Sequence, residues 1–176
     1  MGIKFNLRTV YNLWINIYKE FNLIRVRKSS RLLIINENLE VLLFQFFHEN
    51  DALAGQKYWA TVGGGVENWE TFEQAACREL YEETGIVRDD VGICVDTRNF
   101  EMLLPSSEIV ISNERFFVIF VKDDEIKTNN WSDHEKKVIS KSNWWKLEDL
   151  RETSETVFPN DIPNILFRSF PQIFKN

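Results

Sequence analysis

Four glutamates and one arginine fall at fixed intervals behind three glycines. The order is Gly63-Gly64-Gly65, then Glu70, then Arg78-Glu79-Leu80-Tyr81-Glu82-Glu83, closing on Gly85-Ile86. Carboxylates this dense repel one another unless a positive group lies among them. Their spacing predicts a single helix. Thr71 and Gln74 form a capping box that satisfies two amides at the helix start, and Gly85 supplies the left-handed residue that ends it. Phe72, Ala75, Ala76 and Leu80 recur at helical spacing and mark the face turned to a core. At about 100° per residue, Glu79 and Glu83 project into that apolar sector and Glu82 lies at its edge. Burying a lone carboxylate there is costly, so something must offset it.

A hard divalent cation, Mg2+ or Mn2+, is the simplest offset. Both ions prefer oxygen ligands and bridge a few carboxylates to substrate phosphates. With no side chains in the way, Gly63, Gly64 and Gly65 let the backbone come close to the metal and to phosphate oxygens, which makes Gly64 and Gly65 candidate substrate contacts. Arg78 reads as a structural clamp, with Glu82 four residues on and Glu70 within reach. The plainer alternative is a solvated acidic helix with surface ion pairs. It fits less well, because the acids share the apolar face.

Every defining position of the Nudix box is matched from Gly64 to Ile86, so this segment resembles the signature of Nudix hydrolases. The likeness extends, more weakly, to Tyr58-Trp59, to Glu114-Arg115-Phe116-Phe117, and to Trp144-Trp145 before Leu147-Glu148-Asp149-Leu150. Val62 stands where relatives often carry proline, and Trp69 where they often carry glycine. Neither position is defining, and both bear on loop shape and substrate fit more than on the chemistry. The resemblance implies an α/β fold, a Nudix-type α/β/α sandwich with a mixed β-sheet between helices. It implies hydrolysis of a pyrophosphate P–O bond in a nucleoside diphosphate linked to another moiety. Glu79 and Glu83 match the usual metal ligands, the Gly63 carbonyl is a frequent third, and Glu82 binds a further ion or orients water. The metal neutralises phosphate charge and lowers the pKa of water while a carboxylate takes the proton. Relatives draw that base either from the box, here Glu82 or Glu83, or from a later loop. Glu135 in Ser132-Asp133-His134-Glu135 is the loop candidate, with an ordinary helix-start acid as its bland reading; Glu114, Asp124 and Glu125 are weaker rivals. Two other classes compete: a ligand sensor that has lost turnover, against which Glu79, Glu82 and Glu83 stand intact, and a diphosphate isomerase, for which no cysteine-glutamate pair is evident.

Composition fits a small enzyme. A chain of 176 residues is one domain by size and buries a proper core. A net charge of -6 argues against nonspecific nucleic-acid binding, which needs a basic face. Cys77 and Cys94 make no disulfide framework, so a reducing cytoplasm is the default. No signal peptide is visible, and no apolar run reaches the roughly 20 residues that span a bilayer. His48 and His134 are too far from other nitrogen or sulfur ligands in sequence to suggest zinc.

Around the helix, Arg31 to Ile35 and Val41 to Phe47 read as strands joined by Asn36-Glu37-Asn38-Leu39. Residues 49–56 read as a polar loop before a short strand at Tyr58 to Val62. Gly92 to Arg98, Arg115 to Lys122 and Trp144 to Leu147 read as further strands, and Ile162 to Phe174 as a closing helix interrupted by Pro171. Specificity is expected in loops near 49–57, 99–113 and 123–142. The Nudix domain is expected over 25–176. Before it, residues 1–24 carry an amphipathic helical stripe (Val10, Leu13, Trp14, Ile17, Phe21, Ile24) that packs on the domain, forms a homodimer arm or, least favoured, lies on a membrane surface. Tyr58, Trp59 and Trp69 flank the glycines and could stack on a nucleobase. Arg27, Arg31 and Arg98 are candidate phosphate or ribose contacts, with plain solvation as the alternative.

Overall fold

Strand-period alternation on either side of Asn36-Glu37-Asn38-Leu39 builds a hairpin around which the rest assembles. The computed structural model describes residues 24–122 and 125–174. In it β1 (Val26–Ile35) and β2 (Val41–Phe47) enclose a turn in which Asn36 Oδ1 accepts from the Asn38 and Glu40 amides at 3.0 and 2.9 Å. There follow β3 (Lys57–Thr61), α1 (Phe72–Thr84), β4 (Asp96–Leu103), β5 (Ile109–Phe120), α2 (Glu135–Val138), β6 (Ile139–Trp145), α3 (Leu147–Glu152), β7 (Val157–Phe158) and α4 (Ile162–Ser169).

The strands form one mixed sheet in the order β4-β5-β1-β2-β3-β7, with β6 also paired to β2. β1 runs parallel to β5 from Val26↔Ile111 to Ile35↔Phe120, whereas β2 pairs with β3 and β6 antiparallel. β1 and β2 pair only at Ile35↔Val41, so the sheet splits between them. The other end of β1 is stitched to the glycine turn: Leu32 N donates to Val62 O, Ser30 N to Gly64 O and Val66 N to Lys28 O, at 2.8 to 3.0 Å.

Because strand side chains alternate, the sheet has two apolar faces. One packs Leu32, Ile34, Phe44 and Val62 against Phe72, Ala76 and Leu80 of α1. The other packs Leu33, Ile35, Leu43 and Phe116 against Leu147 and Leu150 of α3 and Ile165 and Leu166 of α4. Helices therefore cover both faces, giving the α/β/α sandwich.

Several boundaries differ from the sequence reading. β1 starts at Val26 rather than Arg31, because Lys28, Ser29 and Ser30 pair through their backbones without an apolar pattern to announce it. β4 begins at Asp96 rather than Gly92, which sits at φ 73° in a turn. Much of the stretch 99–113 is strand, so the expected loop there shrinks to the tip of the β4–β5 hairpin. β6 starts earlier, at Ile139, and Leu147 opens α3 instead of ending a strand. α4 stops at Ser169, since the residue before Pro171 is pushed out of helical conformation. Residues 1–23 of the N-terminal extension, and Asp124, lie outside the described residues.

The α1 start carries the reciprocal capping box, with Thr71 Oγ1 accepting from Gln74 N and Gln74 Oε1 accepting from Thr71 N. Thr71→Ala should lower stability by about 1 kcal/mol, read as a shift in the urea denaturation midpoint without change of slope.

Candidate metal and phosphate site

α1 turns Glu79 and Glu83 towards the core, where they are 8% and 4% exposed. Both fit only because of the glycines beside them. Gly63 has φ 129°, and a Cβ there would lie 2.1 Å from the Ser30 carbonyl oxygen; its amide donates to Glu83 Oε2 at 2.8 Å. A Cβ on Gly64 would lie 2.3 Å from Glu79 Oε1. The turn is thus a cradle from which side chains are excluded, with one carboxylate seated in it and another bonded to it. Ser30 Oγ donates to Phe72 O at 2.6 Å and ties β1 to the first residue of α1.

Arg78 holds the acids in register. Its Nε and Nη2 donate to the two oxygens of Glu70 at 2.7 and 2.9 Å, and Nη1 to Glu79 at 2.8 Å and Glu82 at 2.9 Å. Nη2 also donates to Gly65 O at 2.8 Å, so the guanidinium fastens helix, loop and glycine turn together. The hydrogen bond from Arg78 holds Glu70 below the usual carboxylate range.

A third carboxylate arrives from the start of α2, positioned by the segment before it. Lys127 N donates to Thr84 O, and Trp131 Nε1 donates to the Glu83 carbonyl, both at 2.8 Å. The Trp131 ring packs edge-on against Phe44, with centroids 5.4 Å apart. Next to it Ser132 and Glu135 exchange bonds: Ser132 N donates to Glu135 Oε2 at 2.6 Å, and Glu135 N to Ser132 Oγ at 3.2 Å. One oxygen from each of Glu79, Glu83 and Glu135 then lies within 4.8 Å of the others. Trp131 and Ser132 were not singled out in the sequence. The Ser132-x-x-Glu135 spacing is itself a capping-box signal that could have marked Ser132.

The electrostatics of this cluster are unfavourable as they stand. Burial, and then the neighbouring Glu79, push Glu83 well above the ordinary carboxylate value, opposed by the Gly63 amide. Burial also raises Glu79, with the Arg78 hydrogen bond working against it. An all-oxygen set of two buried carboxylates and one half-buried one, mutually repelling, is the donor chemistry that a hard dication satisfies, and the residues fit such an ion. Glu82 stands outside the trio: its side chain is 43% exposed and one oxygen is held by Arg78.

The other candidates separate clearly. Arg31 donates from Nε to Glu114 at 2.9 Å and from Nη1 to Gly63 O at 3.0 Å; that carbonyl keeps a second lone pair. Glu114 faces Arg31 and is not in the carboxylate trio. Trp59, expected as a stacking surface, is a core residue instead. At 2% exposure it packs against Trp145 and donates from Nε1 to Glu155 at 2.6 Å, leaving no ring face open to a nucleobase. Its place on β3 turns it to the α3–α4 side of the sheet, a direction the sequence pattern left ambiguous. Tyr58 stacks on Phe46 and bonds His48 Nε2 at 3.0 Å, whereas Trp69 is 79% exposed. Arg98 lies over the Phe100 ring.

A family model for the NUDIX domain matches residues 26–164, and the chain belongs to the Nudix family. Among curated proteins it is similar to an RNA pyrophosphohydrolase of Tolumonas auensis, 40% identical over 74 residues, which are 42% of this chain and 38% of that relative. The chain spans half or less of the length of the curated relatives it matches. Among solved structures it resembles a MutT protein from Methanosarcina mazei Go1, with TM-score 0.61, 25% identity, and coverage of 87% of this chain and 98% of the other. The E. coli ORF135 protein shares the fold, with TM-score 0.57, 22% identity, and coverage of 86% and 93%.

Two tests follow from the cradle. Because the folded, metal-free state raises the Glu83 pKa, its stability contribution is fully present below the unfolded value and is lost as pH rises through the folded one. Glu83→Gln should therefore raise the melting temperature in chelator at pH 7 and leave it little changed near pH 4. A lower melting temperature at pH 7 would contradict the assigned burial cost. Gly64→Ala should displace the Glu79 carboxylate, so that a divalent cation which raises the melting temperature of the unaltered protein should no longer do so for the variant.

Proposed function

We propose that the chain is a pyrophosphohydrolase dependent on Mg2+ or Mn2+, cleaving a nucleoside diphosphate linked to another moiety. The observation that carries this reading is the trio Glu79, Glu83 and Glu135, gathered within 4.8 Å beside a turn that excludes side chains. Glu79, Glu83 and the Gly63 carbonyl would hold the cation, with Glu82 adding a carboxylate at the exposed edge. When bound, the ion supplies charge neutralisation at the phosphate oxygens and makes water a better nucleophile.

The chain's own residues do the rest. Gly64 and Gly65 admit the diphosphate close to the backbone, and Arg31 sets a positive charge beside Gly63. Glu135 accepts the proton as the water oxygen bonds to phosphorus and the bridging P–O bond breaks, the departing phosphate taking the electron pair. Arg78 and Glu70 keep the helix and the turn from separating during this step. Trp59 has no contact role here, because its ring is enclosed.

The curated relatives named RNA pyrophosphohydrolase widen the substrate range to be tested. A net charge of -6 disfavours binding along a nucleic-acid backbone but is no barrier to recognising one phosphorylated end. Among the described residues no helix is long and apolar enough to cross a membrane. A reducing cytoplasm suits the free thiols of Cys77 and Cys94.

The test is product release from nucleoside triphosphates, oxidised nucleotides, ADP-ribose, dinucleoside polyphosphates and a 5′-triphosphorylated oligoribonucleotide, with and without Mg2+ or Mn2+. Turnover of at least one compound should require the metal. Glu83→Gln should lower it by about two orders of magnitude or more, and Glu135→Gln by a comparable factor while metal binding persists. Tight binding of one compound with no turnover of any would support the sensor reading instead.

A further inference from the structure

Adjacent glycines of the turn face opposite charges. A Cβ on Gly64 would meet the Glu79 carboxylate, and one on Gly65 would lie 3.3 Å from Arg27 Nη2. Arg27 stands on β1 four residues before Arg31, and strand alternation puts both on the same side of the sheet. Their situations differ. Arg31 is engaged with Glu114 and with the Gly63 carbonyl. Arg27 donates from Nη1 to Ser29 Oγ, and among the described residues no carboxylate oxygen lies within 4.0 Å of it. Glu114 and Glu79 act on it only from a distance, while burial and Arg31 both work against its charge.

A guanidinium kept half-buried at such a cost, with no carboxylate partner among the described residues, is built for an oxyanion that comes from outside. Its position selects which one. It borders the same turn as the carboxylate trio, displaced from it by one residue. A diphosphate crossing the glycines would meet a cation on Glu79 and Glu83 with one phosphate and Arg27 with the next.

We propose that Arg27 binds the non-bridging oxygens of the phosphate lying over Gly65, next to the phosphate that a cation on Glu79 and Glu83 would hold. The site then requires two adjacent phosphates and is selective against monophosphates. Ser29 is a positioning residue that aims the guanidinium through its hydroxyl. This assignment rests on the phosphate chemistry proposed above, but its test does not depend on turnover.

The probe is methylenediphosphonate, a diphosphate analogue that cannot be hydrolysed at its bridge, titrated calorimetrically in Mg2+ into the full chain. Arg27→Gln keeps the stem, so melting temperature and Mg2+ binding without the probe should stay as in the unaltered protein. Its affinity for the probe should fall about ten- to a hundredfold, the usual consequence of losing a charge-assisted contact, and Arg27→Lys should regain part of it. Affinity for methylphosphonate, which has a single phosphorus, should hardly change. For any compound the enzyme hydrolyses, KM should rise by a similar factor with a smaller change in kcat. Probe binding by Arg27→Gln equal to that of the unaltered protein overturns the assignment, as does failure of the unaltered protein to bind the probe. Normal probe binding with no hydrolysis by the unaltered protein sinks the hydrolase reading alone and leaves Arg27 in place.

Discussion

Two glutamates on the wrong side of a helix govern this structure. Glu79 and Glu83 occupy the face that Phe72, Ala76 and Leu80 commit to the core, and they are tolerated because the three glycines opposite them carry no side chains. The glycine turn gives Glu83 an amide donor and gives Glu79 room. Arg78 supplies the nearest compensating charge, but it reaches Glu79 and not Glu83. The residual imbalance lies at Glu83, the more deeply buried acid, which burial and the neighbouring Glu79 push above the ordinary carboxylate value. A buried charge left short of partners in this way costs stability instead of adding to it, and a bound cation would relieve that cost.

The split in the sheet serves that arrangement. Since β1 leaves β2 after one residue pair, its early half is free to bond the glycine turn on one edge and β5 on the other. The same strand then delivers Ser30 to the start of α1, and Arg27 and Arg31 to the two ends of the turn. A regular hairpin between β1 and β2 would have used those backbone groups in pairing and left the turn unanchored.

Much of the chemistry could be read from local spacing. The helix, its cap, the Arg78 contacts to Glu70 and Glu82, and the conflict between acids and apolar face all follow from residues within one segment, where helical periodicity fixes geometry. The sandwich followed from strands on both sides of that helix. What depended on distant parts of the chain was harder to see. Trp59 looked like an exposed ring beside glycines, yet which face of β3 it occupies is set by pairing with β2 and by Trp145. The first half of β1 was missed because Lys28, Ser29 and Ser30 are held by backbone bonds that carry no side-chain signature. Glu135 could be named as a candidate, but its approach to Glu83 depends on Trp131, whose bond to a carbonyl 48 residues earlier has no local pattern.

That indole donates to the backbone of the residue that most needs a counterion. A rivet between loop and helix lets the two evolve on different terms. Substitutions between the rivet and β5 can reshape that loop, while Trp131 still ties the segment that carries Glu135 to the backbone of α1. The loop is thereby free to vary without displacing the carboxylate cluster, a division of labour suited to a scaffold reused for many ligands.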